Sequence, residues 1–117
     1  MKQKLSGKTP HLHGCWPNGQ PFSVPIEWSN FVIGRSLDAD LVVPQTAPYV
    51  SSRHAELQWT PVGFTLVDLN SRNGTRINGV LLEPRQPASL QTGDVIALGS
   101  KHRGIIEFTF HIEGRAG

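Results

Sequence analysis

Sulfur is nearly absent from these 117 residues, which contain one methionine and a single cysteine, Cys15. One thiol excludes an intramolecular disulfide framework and fits a reducing compartment. No apolar run approaches the roughly 18 residues of a membrane span, and the N-terminus carries no signal-peptide core. The expectation is a soluble protein, cytoplasmic or, in a eukaryote, nuclear, with no membrane partner. No window repeats apolar residues at helical spacing, and no internal repeat is visible. Charge is sparse at 17% of residues, with a net value of +2. Lys2, Lys4 and Lys8 supply that excess, because eight basic residues face nine acidic ones from Thr9 onward. The body therefore lacks the basic field of a nucleic-acid binder, and no nucleic-acid partner is expected. The chain is also too short for a two-domain enzyme or a (β/α)₈ barrel.

What is abundant is turn chemistry, with 12 Gly and 9 Pro. Short apolar segments alternate with it. Ile106, Phe108, Phe110 and Ile112 alternate with Glu107, Thr109 and His111, as one face of a strand would. Ala55, Leu57 and Trp59 alternate likewise against Glu56 and Gln58. Phe31–Ile33, Leu41–Val43, Phe64–Leu69 and Val95–Leu98 read as strands buried on one or both faces. Asn-Gly, a strong hairpin signal, occurs at Asn18-Gly19, Asn73-Gly74 and Asn78-Gly79, the first between His11–Trp16 and Pro21–Ile26. About ten short strands predict an all-β sandwich or barrel. Residues 1–9 read as a flexible basic leader, 10–112 as the domain, and 113–117 as a tail or the start of a linker to a larger protein.

Three polar clusters fall where strands give way to loops, the places where binding residues concentrate. They are Ile33-Gly34-Arg35-Ser36, Val50-Ser51-Ser52-Arg53-His54-Ala55 and the run from Asp68 to Gly79. Their chemistry complements an oxyanion. Arg35 offers a guanidinium that stays ionised and can donate two parallel bonds to a phosphate. Ser51 and Ser52 offer hydroxyls, Asn73 an amide, and the Ser71–Thr75 backbone a possible nest of N–H groups. The first two clusters contain no carboxylate.

Gly34-Arg35, Ser51-x-x-His54, Ser71-x-Asn73-Gly74-Thr75-x-x-Asn78-Gly79 and Leu90-x-x-Gly93-Asp94-x-Ile96-x-Leu98-Gly99 stand in an order and spacing that resembles the forkhead-associated (FHA) domain family. The resemblance runs from about Pro10 to Ile112. It implies an eleven-stranded β-sandwich that binds phosphothreonine-bearing proteins or peptides through loops at one end, without cofactor, metal or catalysis. By position it implies that Arg35, Ser51, Ser52 and Arg72 hold the phosphate and that Asn73 bonds the peptide backbone. Gly34, His54, Gly74, Asn78 and Gly79 would shape the loops. Tyr49, Lys101, His102 and Arg103 would read residues beside the phosphothreonine, with a preference for acidic ones downstream. One departure stands out: the segment Pro44–Tyr49 is longer than the family pattern leads one to expect.

Other motifs carry less. Ser51, His54 and Asp68 could suggest a hydrolytic triad, yet a triad is defined by geometry and an oxyanion hole. His11, His13 and Cys15 would share a strand face, but a structural metal site wants four ligands and no second Cys/His pair accompanies them. Gly7-Lys8-Thr9 and Gly74–Gly79 mimic parts of a phosphate-binding P-loop without completing one. Asn73-Gly74-Thr75 matches a glycosylation sequon, discounted for want of a signal peptide. The rival reading is a phosphate-independent interaction module on the same sandwich.

Overall fold

The computed structural model describes residues 3–5, 9–100, 102 and 104–112. Eleven strands run in chain order: β1 Pro10–Cys15, β2 Pro21–Pro25, β3 Asn30–Gly34, β4 Leu41–Val42, β5 Ala55–Thr60, β6 Gly63–Asp68, β7 Thr75–Ile77, β8 Val80–Leu81, β9 Ala88–Leu90, β10 Val95–Ser100 and β11 Gly104–Ile112. They form a six-stranded sheet, β2-β1-β11-β10-β7-β8, and a five-stranded sheet, β4-β3-β5-β6-β9. Only β3 and β4 pair in parallel; the other named pairs are antiparallel.

The period-2 patterns build the core directly. Phe108, Phe110, Leu12, Ile96 and Leu98 from the first sheet are buried together with Ile33, Leu57, Leu66 and Phe64 from the second. Phe110 meets the edge of Phe64, and Phe108 meets that of Phe22, at centroid separations of 5.3 and 5.5 Å. Such edge contacts add to the free energy of area burial, which is the main force closing the sandwich.

The β5–β6, β7–β8 and β9–β10 connections and the starts of β1 and β10 fall at one end. The β3–β4, β4–β5, β6–β7 and β10–β11 connections fall at the other, and there the polar clusters meet.

Three details differ from the sequence reading. Trp59 is 49% exposed although it continues the inward face of β5. It stands near the strand's end, where its ring leans on Phe64 at 5.1 Å and walls an open cavity instead of being covered. Asn78-Gly79 is a tight hairpin with φ of 50° and 85°, as a type I′ turn requires. Asn73-Gly74 is no hairpin: it lies in the crossover from β6 in one sheet to β7 in the other. Finally, Gln3–Leu5 are not a free leader. Lys4 bridges Trp28, while Leu5 N–H donates to Glu27 O and Gln3 O accepts from Ser29 N–H, each at 2.8 Å. Backbone pairing needs no side-chain pattern, so the polar sequence conceals it. The remaining residues of 1–8 and all of 113–117 lie outside the described residues.

Candidate functional site

The site begins with the end of β3. Beyond Gly34 the ladder continues without regular strand: Arg35 N–H donates to Ser51 O at 3.1 Å and Ser36 N–H to Ser52 O at 3.0 Å. The two backbones run so close that a Cβ on Gly34 would sit 2.1 Å from Ser52 O. Glycine is thus required by contact, and the contact sets Arg35 beside Ser51.

The Arg35 side chain is then held from two directions. Its Nε donates to Val50 O. Its Nη1 donates to the Gln45 side-chain oxygen at 3.3 Å, while the Gln45 amide donates to Arg35 O at 2.7 Å.

Ser51 is fixed through both its backbone and its hydroxyl. Ser51 N–H donates to His54 Nδ1 at 3.0 Å, and Arg72 N–H donates to Ser51 Oγ at 3.0 Å. The hydroxyl proton stays available to a ligand. His54 is fully buried and its Nε2 lies 2.8 Å from Gly74 O. Because Nδ1 must accept, the proton is assigned to Nε2, which donates to that carbonyl. Burial pushes the imidazole below its ordinary value, only partly opposed by the Gly74 bond and the Asp68 charge. His54 is thereby a neutral bridge between the loop at 51 and the loop at 74.

The frame of that second loop joins Ser71 and Thr75 of the motif to a buried carboxylate outside it. Asp68, 2% exposed, accepts from Ser71 Oγ, Ser71 N–H and Thr75 Oγ1, and Ser71 Oγ accepts in turn from Gly74 N–H. The carboxylate is committed to shaping the turn. A Ser51–His54–Asp68 relay does not form, because Ser51 meets the imidazole through its backbone and the Asp68 oxygens serve Ser71 and Thr75.

Asn73 donates from Nδ2 to Tyr49 O at 2.8 Å, which leaves its side-chain oxygen free to accept. The Tyr49 ring lies over the β10–β11 turn, so close that a Cβ on Gly104 would meet it at 2.5 Å and one on Gly99 at 3.1 Å. His102 is exposed in that turn, and Lys101 and Arg103 lie outside the described residues. Asn78 and Gly79 do not belong to this end. Asn78 bonds Asp94 and Val95 N–H at the start of β10, the far end of the strand from the loops at 51 and 74.

Arg35, Ser51, Ser52, Arg72, Tyr49, Pro48 and Val50 together line a concavity of about 250 Å³. Its lining includes two arginines and two serines, and none of these lining residues carries a carboxylate. That composition can desolvate and bond a compact anion. A larger cavity of about 710 Å³ lies at the opposite end, walled by Leu5, Trp59, Phe64, Leu90 and Ile112. It is mostly apolar and gathers no comparable donor set. On the outer face of β1, His13 lies 5.8 Å from His11 and 5.9 Å from His111, ring to ring. Among the described residues no group of His, Cys, Asp or Glu is placed to hold a metal ion.

Comparison with known proteins agrees with this geometry. FhaA of Mycobacterium tuberculosis, an FHA domain-containing protein, is 47% identical over 73 residues, which are 62% of this chain and 13% of that protein. The chain thus spans a small part of that relative. A structure from a study of phosphothreonine-dependent FHA-domain interactions superposes with a TM-score of 0.69 at 32% identity, covering 91% of this chain and 98% of the other. The FhaA FHA domain, solved in complex with an intracellular domain of another protein, gives 0.64 at 33% identity, over 87% and 99%. The family model for the FHA domain matches residues 31–99, more than half of the sequence, and this chain belongs to that family.

Proposed function

We propose that this chain is a non-catalytic reader of phosphothreonine in partner proteins, one module of a longer polypeptide. The observation that carries the reading is the shared concavity of Arg35, Ser51 and Arg72, with no carboxylate in its lining. A phosphothreonine brings about −1.5 to −2 charges and three acceptor oxygens. Arg35 meets it with charge-assisted bonds, Ser51 with its free hydroxyl proton, and Ser52 and Arg72 from the rim. Asn73 accepts from the peptide backbone through its free oxygen. By the family resemblance, Tyr49, Lys101, His102 and Arg103 are assigned to recognition of the residues beyond the phosphothreonine. FHA structures similar to this chain come from work on phosphothreonine-dependent interactions and from a complex with a partner domain, which supports the same use here.

The test is fluorescence polarisation against a degenerate phosphothreonine library, with phosphoserine and unphosphorylated controls. Binding confined to the phosphothreonine set supports the reading. Equal binding of a partner before and after phosphatase treatment replaces it with a phosphate-independent module, and labelling of Ser51 by an active-site serine probe would revive catalysis.

A further inference from the structure

We infer that Gln45 is a positioning residue of this site: its carboxamide clasps Arg35 at main chain and guanidinium together and presents the arginine ready-formed to the phosphate. The inference rests on the phosphothreonine reading and adds to it a residue outside the motif that defines the family resemblance.

An arginine side chain has many rotamers, and ordering it when a ligand arrives costs affinity. Here the ordering is done beforehand. A turn closed by Ala47 N–H on Pro44 O, and anchored by the fully buried Ala47, carries Gln45 back toward β3. From there one amide makes two bonds of opposite sense, Nε2–H to Arg35 O at 2.7 Å and Oε1 from Arg35 Nη1 at 3.3 Å. Val50 O takes Nε. Of the five N–H donors of a guanidinium, three remain, all on the Nη nitrogens. The restraint thus fixes the side chain without exhausting its capacity for phosphate oxygens.

The chemistry of the clasp is specific to a neutral amide. Glutamate in its place would set an anion against the Arg35 carbonyl and pair the guanidinium with a rival of the phosphate. Alanine would release the arginine without opposing it. Gln45 itself is exposed, so neither change removes core packing.

The experiment measures affinity for a phosphothreonine peptide chosen from the library, together with the Arg35 side-chain N–H signals of the free protein by NMR. Gln45→Ala is expected to weaken binding about three- to tenfold, the effect of one or two solvent-accessible hydrogen bonds. Gln45→Glu weakens it further, with thermal melting unchanged in both. In the free wild-type protein the restrained Nη1 group gives separated signals, which collapse in Gln45→Ala. The inference is overturned by Gln45→Ala binding within twofold of wild type, by Gln45→Glu binding as well as Gln45→Ala, or by Arg35 signals that ignore the substitution. Absence of any phosphopeptide binding by the wild type overturns the phosphothreonine reading instead, and the Arg35 signals still decide the clasp.

Discussion

The backbone N–H of Arg72 donates to the hydroxyl oxygen of Ser51 at 3.0 Å, joining two loops whose residues stand 21 positions apart. The bond fixes the direction in which the Ser51 proton can point, and it holds Arg72 at the rim shared with Arg35. Loss of the hydroxyl therefore removes one donor from the concavity and one acceptor from the scaffold.

Ser51→Ala and Arg35→Ala are each expected to lower affinity for a phosphothreonine peptide about ten- to a hundredfold, the range for a hydrogen bond to a charged group. Arg35→Lys keeps the charge but loses the bonds to Val50 and Gln45, so it falls well short of wild type. Calorimetric titration of the three variants decides the matter. Wild-type affinity in Arg35→Ala would remove the phosphate from this concavity.

Gly34→Ala tests the backbone contact. A methyl group placed 2.1 Å from Ser52 O must push the 51–53 segment away from β3. The expected cost is about 2–3 kcal/mol of stability, in the range of overpacked core substitutions. Peptide binding falls by more than that destabilisation accounts for, because Ser51 moves with the segment. Urea denaturation gives the first quantity and polarisation the second. Unchanged values of both would mean that the contact relaxes freely.

How much of this could be read from the sequence depends on the range of the forces involved. Alternation in Ala55–Leu57 and Ile106–Ile112 is legible because a strand's period is written in consecutive residues. The strands Thr75–Ile77, Val80–Leu81 and Ala88–Leu90 escape that test, being two or three residues long and partly exposed. Asn73-Gly74 and Asn78-Gly79 look alike as dipeptides; which one closes a hairpin is settled by the sheets that the flanking strands join. The site shows the same division. Gly34, Arg35, Ser51, His54 and Asn73 are legible through a four-part pattern. Gln45 acts on Arg35, ten positions away, through a turn that only the folded chain closes, and so leaves no local signature. Asp68 is visible as a residue but not in its role of bonding Ser71 and Thr75.

Tyr49 couples the phosphate loop to the β10–β11 turn by lying on Gly99 and Gly104. If Lys101, His102 and Arg103 read residues downstream of the phosphothreonine, a peptide library returns a preference for acidic side chains there. Tyr49→Ala, which frees the turn, flattens that preference by up to about fivefold, on the scale of exposed charge pairs. Affinity for a peptide with neutral flanks changes less. A library with basic or no downstream preference refutes the assignment of this turn.

The pH response separates ligand from scaffold. His54 is held below its ordinary value by burial, so the unfolded chain takes up a proton that the folded chain resists. Stability is therefore fully present above about pH 6.5, the ordinary histidine value, and declines as pH falls toward the folded value. Protonated Nδ1 also ceases to accept from Ser51 N–H, which loosens the phosphate loop. In the free protein, urea denaturation between pH 7.5 and pH 5 shows this decline. His54→Gln shows a smaller one, because it removes the buried imidazole whose protonation the fold resists. Peptide binding weakens over the same interval for a second reason, because the phosphate takes up its second proton near pH 6. That part belongs to the ligand and persists in His54→Gln, measured against its own affinity at pH 7.5. Equal pH slopes of stability in the two proteins would mean that His54 is not the group resisting protonation in the fold.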